Sequence, residues 1–132
     1  MVRAMADFTP LERAALEAIM GEMGEDRDRV AAQLRHASVI SRENTGGGFF
    51  SDLSVASDAH DLDRKTAHWG RNVWMSIDGL EYGLGMILHL KDCRANLLEG
   101  YAVGPEDTSA INFETVRFAI ASEPGRFPRN VG

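Results

Sequence analysis

Cysteine is almost missing from this chain, with Cys93 the only one. An internal disulfide is excluded, and a lone thiol suits a reducing compartment. Long apolar runs are missing too. The longest apolar-rich stretch, Gly83 to Leu90, falls far short of the ~20 residues that cross a bilayer. The N-terminal residues hold no long apolar segment, so no signal peptide, no membrane and a cytoplasmic location are expected. No Lys/Arg cluster occurs, and 20 acidic against 14 basic side chains give a net charge of −6. Such a chain repels phosphate backbones, and nucleic acid is not an expected partner.

The motifs of common chemistries are absent as well. There is no HExxH, no EF-hand spacing, no P-loop lysine after Gly46-Gly47-Gly48, and no serine in a G-x-S-x-G elbow. No cofactor is expected.

What is present is an ordinary globular composition, 44% hydrophobic and 26% charged. The 132 residues fit one domain, 1–132, with loose termini expected at 1–8 and 124–132. Thr9-Pro10-Leu11-Glu12 reads as an N-cap threonine, a proline at the first helical position and a capping-box glutamate. Leu11, Ala15, Ala18, Ile19 and Met23 continue as one apolar stripe. Gly21 or Gly24 ends this helix, and Glu25 to Arg29 reads as a charged connector.

The period then changes to two. A strand is predicted over Leu34 to Arg42, a turn at Asn44 to Gly48, and a returning strand over Phe49 to Val55. Ser57 to Gly70 is polar; a short helix fits the spacing of Ala59, Leu62, Thr66 and Trp69. Further strands are read at Val73 to Ile77, Leu84 to Leu90, Ala95 to Val103 and Val116 to Ile120. The expected fold is α+β, an N-terminal helix packed on one face of an antiparallel sheet of about five or six strands.

Lys91-Asp92-Cys93-Arg94 reads as a two-residue turn, and an unbroken register from it sets Leu88 against Leu97 and Met86 against Glu99. Glu99 would then be the one charge on the leucine face, where a carboxylate is costly unless bonded or protonated. It is a structural acid, a pocket acid or base, or a residue that a bulge or longer turn places in solvent by flipping the register. On that other face the same register pairs His89 with Asn96, Ile87 with Leu98 and Gly85 with Gly100. Gly85, Ile87, Leu98 and Gly100 thus outline a hollow for a ligand or partner, against the alternative of a local twist.

Glu99 and His89 are the catalytic candidates. Asp58, His60, Asp61, Asp63 and His68 crowd one segment, but only His60, Asp63 and His68 rank as metal candidates. Their spacing matches no standard site, and a solvated charged loop is the simpler reading.

Arg42-Glu43-Asn44-Thr45-Gly46-Gly47-Gly48-Phe49-Phe50, with Leu98-Glu99-Gly100-Tyr101 further on, resembles a group of small uncharacterised bacterial proteins carrying TG-x-GFF and LEGY. The resemblance spans Arg42 to Gly104 and implies an α+β fold whose sheet holds both motif strands. It implies no activity, and Cys93 stands where the group's D-G turn has glycine. Three functional classes follow. The first is a non-enzymatic binding or accessory protein acting through protein–protein contacts, as a homodimer or with another protein. The second is an acidic, toxin-neutralising immunity protein. The third is a small enzyme using Glu99.

Overall fold

Thr9 opens the first helix in the manner its sequence requires. The computed structural model describes residues 8–128, and in it the Thr9 hydroxyl accepts from the Glu12 amide at 3.1 Å while Glu12 Oε1 accepts from the Thr9 amide at 2.8 Å. Helix α1, Pro10–Met20, buries Leu11, Ala15, Leu16 and Ile19 and ends at Gly21. Thr9→Ala is expected to cost about 1 kcal/mol, because the capping bond is lost. An unchanged midpoint in a denaturant melt would show that the cap contributes nothing.

The segment read as a charged connector is instead a 3₁₀ turn, Gly24–Asp26, leading into a second helix, α2, Arg27–Arg35. Its buried stripe is only Val30, Gln33 and Leu34, so the apolar period is too thin to announce a helix. The strand expected from Leu34 begins at Ala37 for the same reason.

Seven strands follow among the described residues: β1 Ala37–Asn44, β2 Gly48–Val55, β3 Ala67–Trp69, β4 Trp74–Ile77, β5 Leu84–Lys91, β6 Arg94–Ala102 and β7 Phe118–Ala121. They form one antiparallel sheet in the order β1-β2-β6-β5-β4-β7, with β3 also on β5. β3 lies beside residues 88–90 of β5 and β4 beside 84–85, so the two share one edge of it. Between them Gly70, at φ +123°, sits so close to the Met86 carbonyl that a Cβ would collide with it. No helix among the described residues is long and apolar enough to cross a membrane.

The fold is thus the expected α+β unit, with the helix on the sheet. One face of the sheet carries Phe49, Leu53, Met75, Leu84, Met86, Leu88, Leu90 and Leu98, packed in a single cluster with both helices. The short helix considered within 57–70 does not form. The carbonyls of Val55, Ala56, Ser57 and Ala59 all turn inward to the Arg94 guanidinium, which also binds Asp61 at 2.7 Å. Carbonyls that converge on one side chain do not point in parallel along an axis, as an i→i+4 ladder requires. At the C-terminal end, Gly125 N–H bonds the Tyr82 carbonyl, which ties down part of the expected loose tail; residues 1–7 and 129–132 lie outside the described residues.

The β5–β6 turn forms as read, with Asp92 at φ 53° and Cys93 at φ 68°, the doubly positive pattern of a type I′ hairpin. The register beyond it does not hold. Asn96 is an extra residue on β6, so Leu90 faces Ala95 but His89 faces Leu97, Leu88 faces Leu98 and Ile87 faces Glu99. A one-residue slip moves every side chain to the opposite face. Glu99 therefore leaves the leucine face, and Leu98 enters the core, fully buried.

Candidate functional site

The slip assembles a site on the face that the helices leave open. Side chains alternate across a strand, so this face carries Gly85, Ile87 and His89 from β5, with Leu97, Glu99 and Tyr101 opposite them on β6. Phe50 of β2 stands beside Glu99, Trp74 of β4 beside Gly85, and His68 of β3 beside His89. Phe50, Trp74, Ile87, Leu97 and Tyr101 are each half-buried, and the Trp74 and Tyr101 rings meet edge to face with centroids 6.4 Å apart. The result is an apolar strip with a polar chain running through it.

That chain is Glu99–His89–His68. Glu99 Oε1 lies 2.9 Å from His89 Nε2, and His89 Nδ1 lies 2.7 Å from His68 Nδ1. Glu99 and His89 are about one-quarter exposed, at 27% and 23%. An ionised carboxylate only accepts, so with Glu99 charged His89 donates from Nε2 and, when neutral, keeps a bare lone pair on Nδ1. His68 then donates from its own Nδ1. The two catalytic candidates, which an unbroken register would have set on opposite faces, are brought into contact by the bulge.

The hollow expected between Gly85 and Gly100 does not exist. The two glycines face Tyr101 and Met86 respectively, not each other. The Tyr101 ring fills the space over Gly85, and the Phe49 ring fills the space over Gly100 on the core side. Of the four residues proposed for that face, Ile87 remains in the strip, Gly85 floors it under Tyr101, and Leu98 and Gly100 belong to the core side. The metal candidates His60, Asp63 and His68 do not converge. Asp63 pairs with Arg29 at 3.2 Å, the His60 carbonyl accepts from Gln33, and His68 is on β3. Among the described residues no three His, Cys, Asp or Glu side chains gather as a metal cage.

A second constellation, on the helix side, was not read from the sequence. Glu12 is buried to 3% exposure and receives Arg42 in a bidentate pair, Nε to Oε2 at 2.8 Å and Nη2 to Oε1 at 3.0 Å. Ser51, the one polar residue among Phe49, Ser51 and Leu53 on the core face of β2, donates its hydroxyl to Oε2. Burial pushes the Glu12 carboxyl up, but the bonds from Arg42, Ser51 and the Thr9 amide, with the Arg42 charge, outweigh it and hold it below the usual 4.5. A cavity of about 190 Å³ opens beside the pair, bounded in part by Phe49, Ile111 and Phe113.

The glycine-rich turn is not a phosphate cradle. Its three glycine amides are already bonded, Gly46 to Asn44 Oδ1, Gly47 to Thr45 Oγ1 and Gly48 to Thr108 Oγ1. Gly48, at φ +133°, lies against the Gly100 carbonyl, so the glycine-rich turn and the Leu98–Tyr101 stretch meet backbone to backbone. The fold and site define an α+β sheet protein with a helical layer on one face and a histidine–glutamate chain on the other. Compared with known proteins, the chain matches no family model, no curated protein and no solved structure.

Proposed function

We propose that this chain is a non-enzymatic binding protein that acts through protein–protein contacts on the open face of its sheet, a second copy being its partner. The observation that supports the reading is the strip of Phe50, Trp74, Ile87, Leu97 and Tyr101, half-buried on the face opposite both helices. Contiguous apolar surface of this kind marks an interaction site. A two-fold pair presents the same surface twice, and two sheet faces interdigitate at about 10 Å separation.

Light scattering over a concentration series tests this, with a dimer expected. Leu97→Glu sets a charge on the strip, at its end between Asp52 and His89, and is expected to weaken association by about 2 kcal/mol, roughly thirtyfold in Kd. Its melting should stay near wild type, since Leu97 is outside the core. A mass of 14.5 kDa at every concentration overturns the reading. The Glu99–His89 bond favours a second reading, acid–base chemistry on this face. Against it, cavities of about 830, 400 and 190 Å³ open elsewhere, and none is lined by Glu99, His89 or His68.

A further inference from the structure

His68 and His89 are direct cross-strand partners, and such positions set Cβ atoms about 4.5–5.5 Å apart. Their rings stand at 78° with centroids 4.7 Å apart, and the two Nδ1 atoms converge to 2.7 Å. Two nitrogens from adjacent strands therefore aim at one point. Behind His89, Glu99 takes the opposite ring nitrogen at 2.9 Å. A carboxylate in that position fixes the tautomer and ring angle of a metal-bound imidazole and raises its basicity.

We propose that His68 and His89 form a two-histidine site for a borderline transition dication, Zn²⁺ or Cu²⁺, bound through both Nδ1 atoms, with Glu99 as positioning residue. Imidazole nitrogens select such ions over Mg²⁺ and Ca²⁺, which take oxygen ligands. A tetrahedral ion with bonds of about 2.0–2.1 Å sets two nitrogens roughly 3.3 Å apart. The rings need to separate by about 0.6 Å from their hydrogen-bonded position, a small turn for the exposed His68 side chain. The proton between the rings is the one on His68 Nδ1. It passes through solvent to Nε2 of the same ring when the metal takes its place, so both ligands bind as neutral imidazoles. The remaining coordination positions go to water or to the same pair of a second copy. The site itself does not depend on self-association.

Titration calorimetry of the full chain with ZnCl₂, CuCl₂ and MgCl₂ tests the site. Saturable binding is expected for Cu²⁺ and Zn²⁺, tighter for Cu²⁺, and none for Mg²⁺. Affinity should fall on acidification, because protons compete for the imidazoles. His68→Ala and His89→Ala should each weaken binding at least about tenfold, and Glu99→Gln about 10–100-fold. The other two of the chain's four histidines are controls, so His36→Ala and His60→Ala should change nothing. Ring ¹⁵N spectra of the wild type give a readout that needs no variant to fold. Zn²⁺ should shift Nδ1 of His68 and His89 and spare His36 and His60, and Glu99→Gln should alter the tautomer balance of His89. Zn²⁺ binding that survives the loss of both histidines, or ring signals that Zn²⁺ leaves unmoved, overturns the proposal.

Discussion

Arg42→Met is expected to lower stability by about 3 kcal/mol at neutral pH. The substitution keeps an unbranched side chain and removes the guanidinium with both of its bonds to Glu12. Glu12 then stays at 3% exposure with a charge and no counter-charge. Breaking a buried ion pair from one side costs about 3–5 kcal/mol, since the remaining ion loses both water and partner. The low end applies here because the Arg42 side chain is 35% exposed and Glu12 keeps its bonds from Ser51 and the Thr9 amide. The double variant Glu12→Gln/Arg42→Met removes both charges and should recover part of the loss, which a mutant cycle would measure as coupling. Equal losses in the single and double variants would show that the ion pair is not the source.

The pH dependence carries the sign of the same pair. The folded pKa of Glu12 lies below its ordinary value of 4.5, so folding favours the ionised form. Its contribution is complete above the unfolded value and disappears as pH falls through the folded one. Without Arg42 the burial penalty is opposed only by the bonds from Ser51 and the Thr9 amide, and protonating Glu12 relieves it. The gap between wild type and Arg42→Met should therefore be widest near pH 7 and narrow below about pH 4.5. Chemical melts across that range decide it. A gap that is constant with pH assigns the loss to packing.

The sequence makes some of this architecture plain. The capping box at Thr9 and Glu12, the glycine turn at 46–48 and the alternation from Leu84 to Leu90 are local signals, and each element forms where its signal lies. The features that failed to show are those set by distant residues. Glu12 announces a helix cap, and nothing near it says that its carboxylate also receives an arginine 30 positions away. The bulge at Asn96 has no signature inside its own hairpin, because the Asp92–Cys93 turn is compatible with either register. Since the bulge decides which face Glu99 occupies, the His68–His89–Glu99 chain is not legible in the sequence, where an unbroken register keeps Glu99 and His89 on opposite faces.

The residue that answers for the bulge is Gln33, and Gln33→Leu is expected to cost about 3 kcal/mol. Next to a two-residue turn, the Lys91–Arg94 pair exchanges the ladder bonds, so the Ala95 amide points away from β5. On that side β2 no longer pairs with β6, their last pair being Asp52 with Leu97. Fully buried Gln33 reaches in from α2, and its Oε1 accepts from the Ala95 amide at 2.9 Å. Its Nε2 donates to the carbonyls of His60 at 2.8 Å and Cys93 at 3.0 Å. One amide thus fastens α2, the 56–66 loop and the start of β6 together. Leucine matches the volume and bonds none of them. Cys93 retains its bond from the Leu62 amide, but the Ala95 N–H and the His60 carbonyl lose the Gln33 side chain, at about 1–3 kcal/mol for each buried group. Amide exchange offers a local check on the global melt. Protection should fall most at Ala95 and across 60–65, while the centre of β5 changes only with overall stability. Should Gln33→Leu melt like wild type with Ala95 still protected, the bulge is held by the hairpin alone and the role given to α2 is wrong.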